Sequence, residues 1–257
     1  MTRVYPPKPG RAYFFGTCLI DLFYPEAGLH GIQLLEHCGI RVIYPQAQSC
    51  CGQPAYNSGF DDEARTVAAA QIQCFPENIP VIVPSASCAG MIRLHYPSLF
   101  EGTAMAEQAN HLAERTFELT EFLVQVCDIK LQDQGQPVKV VVHHSCSAQR
   151  HMRVSDYGNQ LLSQLNYVAV VTQARSSECC GFGGTFAVKA PEISNAMVQD
   201  KCDNLLATGA EKLVSGDCGC MMNIGGALKK RAERQGEAYV EPLSDQHIAS
   251  FLWERVQ

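Results

Sequence analysis

Apolar residues gather in short runs bounded by glycine, proline or polar clusters. Ala12-Tyr-Phe-Phe-Gly-Thr-Cys18, Arg41-Val-Ile-Tyr44, Val81-Ile-Val83, Val138-Lys-Val-Val-Val142, Tyr167-Val-Ala-Val-Val171 and Lys212-Leu-Val214 are such runs. Their length and their β-branched and aromatic content predict strands. Stretches of helical period alternate with them, at 25–38, 58–75, 104–127, 154–165 and 191–208. This alternation predicts an α/β fold with parallel strands. Near the C-terminus the pattern predicts a short strand, Ala238-Tyr-Val240, and a helix opened by the Ser244-Asp245 cap signal. No apolar run approaches the length of a membrane span. The apolar stretch Ala12 to Phe23 contains Asp21 and is closed by Pro25, unlike a signal-peptide core.

The pattern occurs twice. In each half a strand ends at a cysteine, and a helix, a second strand and a Cys-Cys-Gly loop follow. Then come another helix, a third strand and a last cysteine. Thirty-one residues separate Cys18 from Cys50, and 36 separate Cys51 from Cys88. In the second half 32 separate Cys146 from Cys179, and 37 separate Cys180 from Cys218. Two halves so similar predict a duplication, with domains at 1–130 and 131–257 joined near the polar Gln132-Asp-Gln-Gly-Gln-Pro137.

Composition turns this repeat into chemistry. The chain has 257 residues and 13 cysteines. An odd number without a signal peptide fits a disulfide framework poorly and suggests a soluble cytoplasmic protein. A net charge of −6 argues against a nucleic-acid binder. Cys38, Cys74, Cys127 and Cys202 fall in apolar-periodic stretches and read as core. The other nine, Cys18, Cys50, Cys51, Cys88, Cys146, Cys179, Cys180, Cys218 and Cys220, stand at strand ends beside glycines. Ligands in open α/β sheets gather beyond the carboxyl ends of the strands, so each set should converge on one point. Four thiolates per half suit an iron–sulfur cluster or a zinc ion, with reduced structural cysteines as the third reading. The spacing is unlike a zinc ribbon, and a vicinal pair sits more easily on a cluster than around one ion.

These motifs carry a resemblance. Thr17-Cys-Leu-Ile-Asp-Leu-Phe23, Cys50-Cys-Gly-Gln-Pro-Ala-Tyr-Asn-Ser-Gly59 and Pro84-Ser-Ala-Ser-Cys88 belong to it, as do Cys179-Cys-Gly-Phe-Gly-Gly-Thr-Phe186 and Asp217-Cys-Gly-Cys-Met-Met-Asn-Ile-Gly-Gly226. Together they resemble the cysteine-rich CCG domain family, which includes the B subunit of heterodisulfide reductase and the iron–sulfur subunit of glycolate oxidase. The likeness to the lactate utilization protein A family is the strongest and runs nearly end to end. It implies two Rossmann-like domains related by a pseudo-twofold. It further implies a cytoplasmic iron–sulfur oxidoreductase component working with lactate utilization B-type and C-type proteins in oxidising L-lactate to pyruvate. The implied cluster ligands are Cys18, Cys50, Cys51 and Cys88, then Cys146, Cys179, Cys180 and Cys218, with Cys220 a second candidate in the last loop. The fullest CCG motif has a fifth cysteine, where this chain has Met91 and Met221. That departure favours ordinary four-iron clusters, one per domain, over a large noncubane cluster.

Neighbouring polar residues are candidates for supporting roles or plain surface. One of His143 and His144 should face the cluster crevice. Arg150 and Arg153 could hold a carboxylate or offset a reduced cluster. Asp21 and Asp217 could be helix caps. Tyr56 and Asn57 could line a substrate pocket, and Gly181-Phe-Gly-Gly184 reads as a turn around the cluster. Three functions compete: an electron-transfer subunit of a lactate-oxidising system, a disulfide-reductase-like catalyst on another 2-hydroxy acid or a thiol, and a zinc-stabilised scaffold.

Overall fold

The computed structural model describes residues 3–235 and 243–257. Two four-stranded sheets, all parallel, have the same topology. β1 (Arg11–Phe14), β2 (Arg41–Ile43), β3 (Val81–Val83) and β4 (Thr116–Glu118) are ordered β2-β1-β3-β4. β5 (Val138–His143), β6 (Val168–Val171), β7 (Lys212–Ser215) and β8 (Ser244–His247) repeat this as β6-β5-β7-β8. These are duplicated Rossmann-like units, with helical crossovers between their strands.

Near-continuous apolar runs form the central strands because both sheet faces are covered. Along β1, Ala12 and Phe14 enter one core, while Tyr13 and Phe15 enter another. Along β5, Val140 faces the first of these and Val141 a third. The first core is common to the two halves: Phe14, Leu34 and Phe122 share it with Val140, Leu161 and Phe251. Its helices pair reciprocally. Pro25–His37 packs on Ile248–Glu254, and its counterpart Ser155–Leu162 packs on Leu119–Gln125. Such exchange of equivalent contacts is the signature of a pseudo-twofold.

The helix Pro25–His37 shows why the sequence was readable. Proline occupies its first turn, and Ala27, Gly28, Gly31, Leu34 and Leu35 form its buried stripe. Other expectations are corrected. The 104–127 stretch is two helices, Ala106–Glu114 and Leu119–Gln125, with β4 between them. The expected helix at 58–75 spans Asp61–Cys74 and is preceded by a short helical turn, Gln53–Tyr56. Ser244 and Asp245 open β8 rather than a helix; the helix begins at Ile248, and His247 caps it by accepting from the Ala249 amide. The expected strand 238–240 lies outside the described residues.

Candidate metal centre

Each motif cysteine follows the carboxyl end of a strand. Cys18 comes after β1, Cys50 and Cys51 after β2, and Cys88 after β3; Cys146, then Cys179 and Cys180, then Cys218 and Cys220 repeat this after β5, β6 and β7. Cys18 and Cys88 thus flank β1 and β3, where the chain's winding reverses, the usual crevice of this topology. All nine cysteines line a single cavity of about 380 Å³. The two sets converge on each other across the pseudo-twofold. Leu19, Pro54, Phe182 and Val188 supply apolar wall; Asn57, His95 and His151 supply polar groups.

The Cys-Cys-Gly turn is built alike in both halves. Gly52 and Gly181 have φ of 85° and 83°, a left-handed conformation that suits glycine. Their amides donate to Cys50 Sγ and Cys179 Sγ, each at 3.4 Å. Hydrogen bonds from Cys18 and then Cys51 hold the Cys50 thiol far below its usual range, at about 3. Cys146 and then Cys180 do the same for Cys179, at about 2. The donors Cys18, Cys51, Cys146 and Cys180 are pushed up, first by those same bonds and then by burial. In each half the glycine amide and the neighbouring thiols thus favour the thiolate form at the first cysteine of the vicinal pair.

In the second half both Cys218 and Cys220 reach the cavity. Cys88 adds to the upward shift of the Cys51 thiol, and Cys220 to that of Cys180, all four being free cysteines. Cys88 lies five residues beyond Val83, the end of β3, and Cys220 lies five beyond Ser215, the end of β7. Cys218 occupies the counterpart of Ala86. Burial raises its thiol, followed by Asp217 and then Cys88 of the other set.

His143 is 1% exposed, and neither ring nitrogen has a hydrogen-bond partner. Its ligating nitrogen and the sulfurs of Cys180 and Cys220 all lie within 4.8 Å of one another. Burial, with Lys201 and His144 adding, lowers its basicity to about 3, so it is a neutral imidazole. His144 is bonded to Asn159 instead, at 3.2 Å. Arg150 donates to the Ser177 carbonyl at 2.8 Å, tying the loop after β5 to the one before Cys179. Arg153 ends its turn at φ 54°, and neither arginine lines the cavity. Asp217 is buried between the halves, accepting from Ser85 Oγ at 2.6 Å, the Ser87 amide at 3.1 Å and Ser145 Oγ. Asp21 is exposed and accepts from Tyr44 at 3.4 Å. Asn57 reaches the cavity, whereas Tyr56 stacks on His95 with centroids 4.6 Å apart. Phe182, Gly183 and Gly184 form a turn along the cavity wall.

Of the four expected core cysteines, Cys202 is fully buried. Cys38, Cys74 and Cys127 are only partly so, because they sit at helix ends rather than on buried stripes. Sequence reasoning missed Lys201, 1% exposed, whose ammonium donates to the Arg175 carbonyl at 3.2 Å. Burial lowers its pKa, while Glu178 and the nearby Cys180 and Cys179 oppose that shift. Its signal was a lysine on the buried stripe Ser194, Val198, Lys201, Cys202, Leu205.

The donor set fits a soft metal or cluster. Thiolates are soft ligands, and a neutral imidazole suits the same iron and zinc ions. A buried imidazole with no hydrogen bond at either nitrogen is costly unless something else binds it.

The CCG cysteine-rich domain matches residues 12–93 and 140–225. Lactate utilization protein A 2 of Bacillus cereus is 41% identical over 218 residues, covering 84% of this chain and 90% of that protein. Lactate utilization protein A of a Geobacillus species is 42% identical over 244 residues, covering 94% and 98%. A hypothetical protein of Helicobacter pylori shares the fold, with a TM-score of 0.65 at 11% identity over 98% of this chain and 50% of its own. Cysteine pattern, duplicated topology and near-full-length identity agree: the chain belongs to the lactate utilization protein A family, built from two CCG cysteine-rich domains.

Proposed function

We propose that this chain is the iron–sulfur electron-transfer subunit of a cytoplasmic L-lactate-oxidising system. Its domains span 1–130 and 131–257, and its partners are the B-type and C-type lactate utilization proteins. One observation carries the reading: two sets of strand-end cysteines line one cavity. Cys18, Cys50, Cys51 and Cys88 would hold one cluster, and Cys146, Cys179, Cys180 and Cys220 the other. A bound cluster supplies one-electron redox chemistry at a potential set by burial and by bonds to its sulfurs. Oxidising lactate to pyruvate releases two electrons and two protons, so a substrate-oxidising partner would deliver two single electrons. The protein's own part is to hold thiolates, exclude water with Phe182 and Leu19, and bring the two sets to one cavity. Cys218, between the sets, would be a bystander thiol.

The test is anaerobic purification with iron, sulfide and zinc analysis, and EPR after dithionite reduction. The expected result is iron and sulfide in both halves. Cys51→Ser and Cys180→Ser should each lose about half the iron, and Cys218→Ser should keep it all. Zinc without iron would favour the scaffold reading, for which the His143, Cys180 and Cys220 group offers an ion site. Lactate oxidation by the purified chain alone would refute a pure relay.

A further inference from the structure

Superposing the halves by their strand registers shows where they differ. Phe14 pairs with Ile82 across β1 and β3, and Val142 pairs with Val214 across β5 and β7. One residue further on, Phe15 therefore corresponds to His143. Cys18 and Cys146 each follow three residues later. The crossover helices give a second correspondence. A Cβ at Gly52 would face Ala64 and Val67, and one at Gly181 would face Ser194 and Met197. That register places Gln71 of the first half opposite Lys201 of the second. Gln71 is fully buried and holds Ser49, accepting from its amide and donating to its hydroxyl. Lys201 holds the equivalent loop through the Arg175 carbonyl.

We propose that the two cysteine sets form unequal redox centres, and that His143 and Lys201 hold the second at the higher potential. This rests on the electron-transfer reading above. Reduction adds a negative charge to a centre. A buried ammonium, and an imidazole within 4.8 Å of Cys180 and Cys220, stabilise that charge more than a neutral amide and a phenyl ring do. His143 lies within 4.8 Å of the Cys180 and Cys220 sulfurs and has no hydrogen-bond partner of its own. Lys201 is buried, so solvent screens it little. Opposing charges do not cancel the difference. Glu178, which replaces Ser49, is 40% exposed and paired with Arg175 at 2.6 Å. Asp217, which replaces Ser85, accepts from Ser85, the Ser87 amide and Ser145, so three donors compensate its charge. In a shared cavity, this asymmetry would favour electron transfer from the first centre to the second.

An EPR-monitored redox titration of the iron-loaded chain tests this. The wild type should show two one-electron waves, and the wave that survives in Cys51→Ser should be the upper one. Lys201→Gln and His143→Phe install the first half's residues. Each should lower only the upper wave, with at least a tenfold change in its equilibrium, about 59 mV for one electron. Lys201→Arg should leave it in place. Equal potentials in the wild type would overturn the inference even if no variant folds. So would a shift confined to the lower wave. In both cases the clusters would remain, and with them the proposed function. A chain that takes up zinc and no iron overturns both.

Discussion

At the scale of single residues, the site depends on backbone positions that admit only glycine. Gly181 has φ 83°, and a Cβ there would lie 2.8 Å from the Ser194 carbonyl oxygen, a rigid backbone atom. Gly52 has φ 85°, but its closest approach, to the Ala64 carbonyl, is 3.2 Å. A left-handed alanine costs about 1–2 kcal/mol before any clash. Gly181→Ala should therefore cost more than Gly52→Ala, by about 1 kcal/mol, as neighbouring groups give way. Urea midpoints of the two variants measure this, and equal midpoints would count against the turn geometry. Iron retention should fall in the same order, because the turn aims the vicinal pair. The residue scale is also where cysteine spacing and strand register point to different fourth thiols. Counting from Cys180 points to Cys218, since 37 residues match the 36 of the first half. Counting from the strand end points to Cys220. The chain between the second and third strands differs in length, so only the strand is a true origin.

At the scale of elements, the strands that carry cysteines were legible because their faces are both buried, which writes them as apolar runs. β4 and β8 were not. β4 is three residues, Thr116-Phe-Glu118, set between two helices, and its apolar content is one phenylalanine. β8, Ser244-Asp-Gln-His247, has no apolar residue at all. It is an edge strand held by its ladder to β7 and by Lys212 donating to Gln246 at 3.0 Å. A hydrophobic pattern cannot announce such a strand. Both strands end in a residue that caps the next helix. Glu118 accepts from the Glu121 amide at 3.0 Å, and His247 accepts from the Ala249 amide at 3.1 Å. Burial raises the Glu118 pKa to about 7, against the bonds from Thr120 and Glu121, with repulsion from Glu121 and Asp217 adding. A raised folded pKa means the folded state holds the proton longer. The stability this contributes is complete below the unfolded value, near 4.3, and is lost as pH rises through about 7. Glu118→Gln keeps an acceptor for the cap and removes the titration. Relative to wild type it should gain on the order of 3 kcal/mol between pH 4 and pH 8. Urea unfolding at both pH values measures the difference, and a constant offset would show that Glu118 does not titrate there.

At the scale of the whole molecule, a duplicated sequence has become one cooperative body. The central core takes residues from both halves, and the paired helices that enclose it come one from each. Polar bonds reinforce the join: His247 Nε2 bonds the Pro84 carbonyl at 2.9 Å, and Asp217 gathers serines from both sides. A half separated from its partner would expose Leu34 and Phe122, or Leu161 and Phe251, all now 2% exposed or less. Exposing four such side chains costs about 1.5–3 kcal/mol each, comparable to the net stability of a small domain. The halves should therefore unfold together. The single tryptophan makes this measurable, because Trp253, in the last helix, packs on His37 of the first half with centroids 6.3 Å apart. Its fluorescence follows the join between the halves, while far-UV circular dichroism follows the helices of both. In urea the two signals should change at one midpoint with one slope. A fluorescence change that precedes the loss of helix would mean that the halves part first and stand alone. The shared cavity would then be a docked interface between two stable domains rather than a feature of one fold.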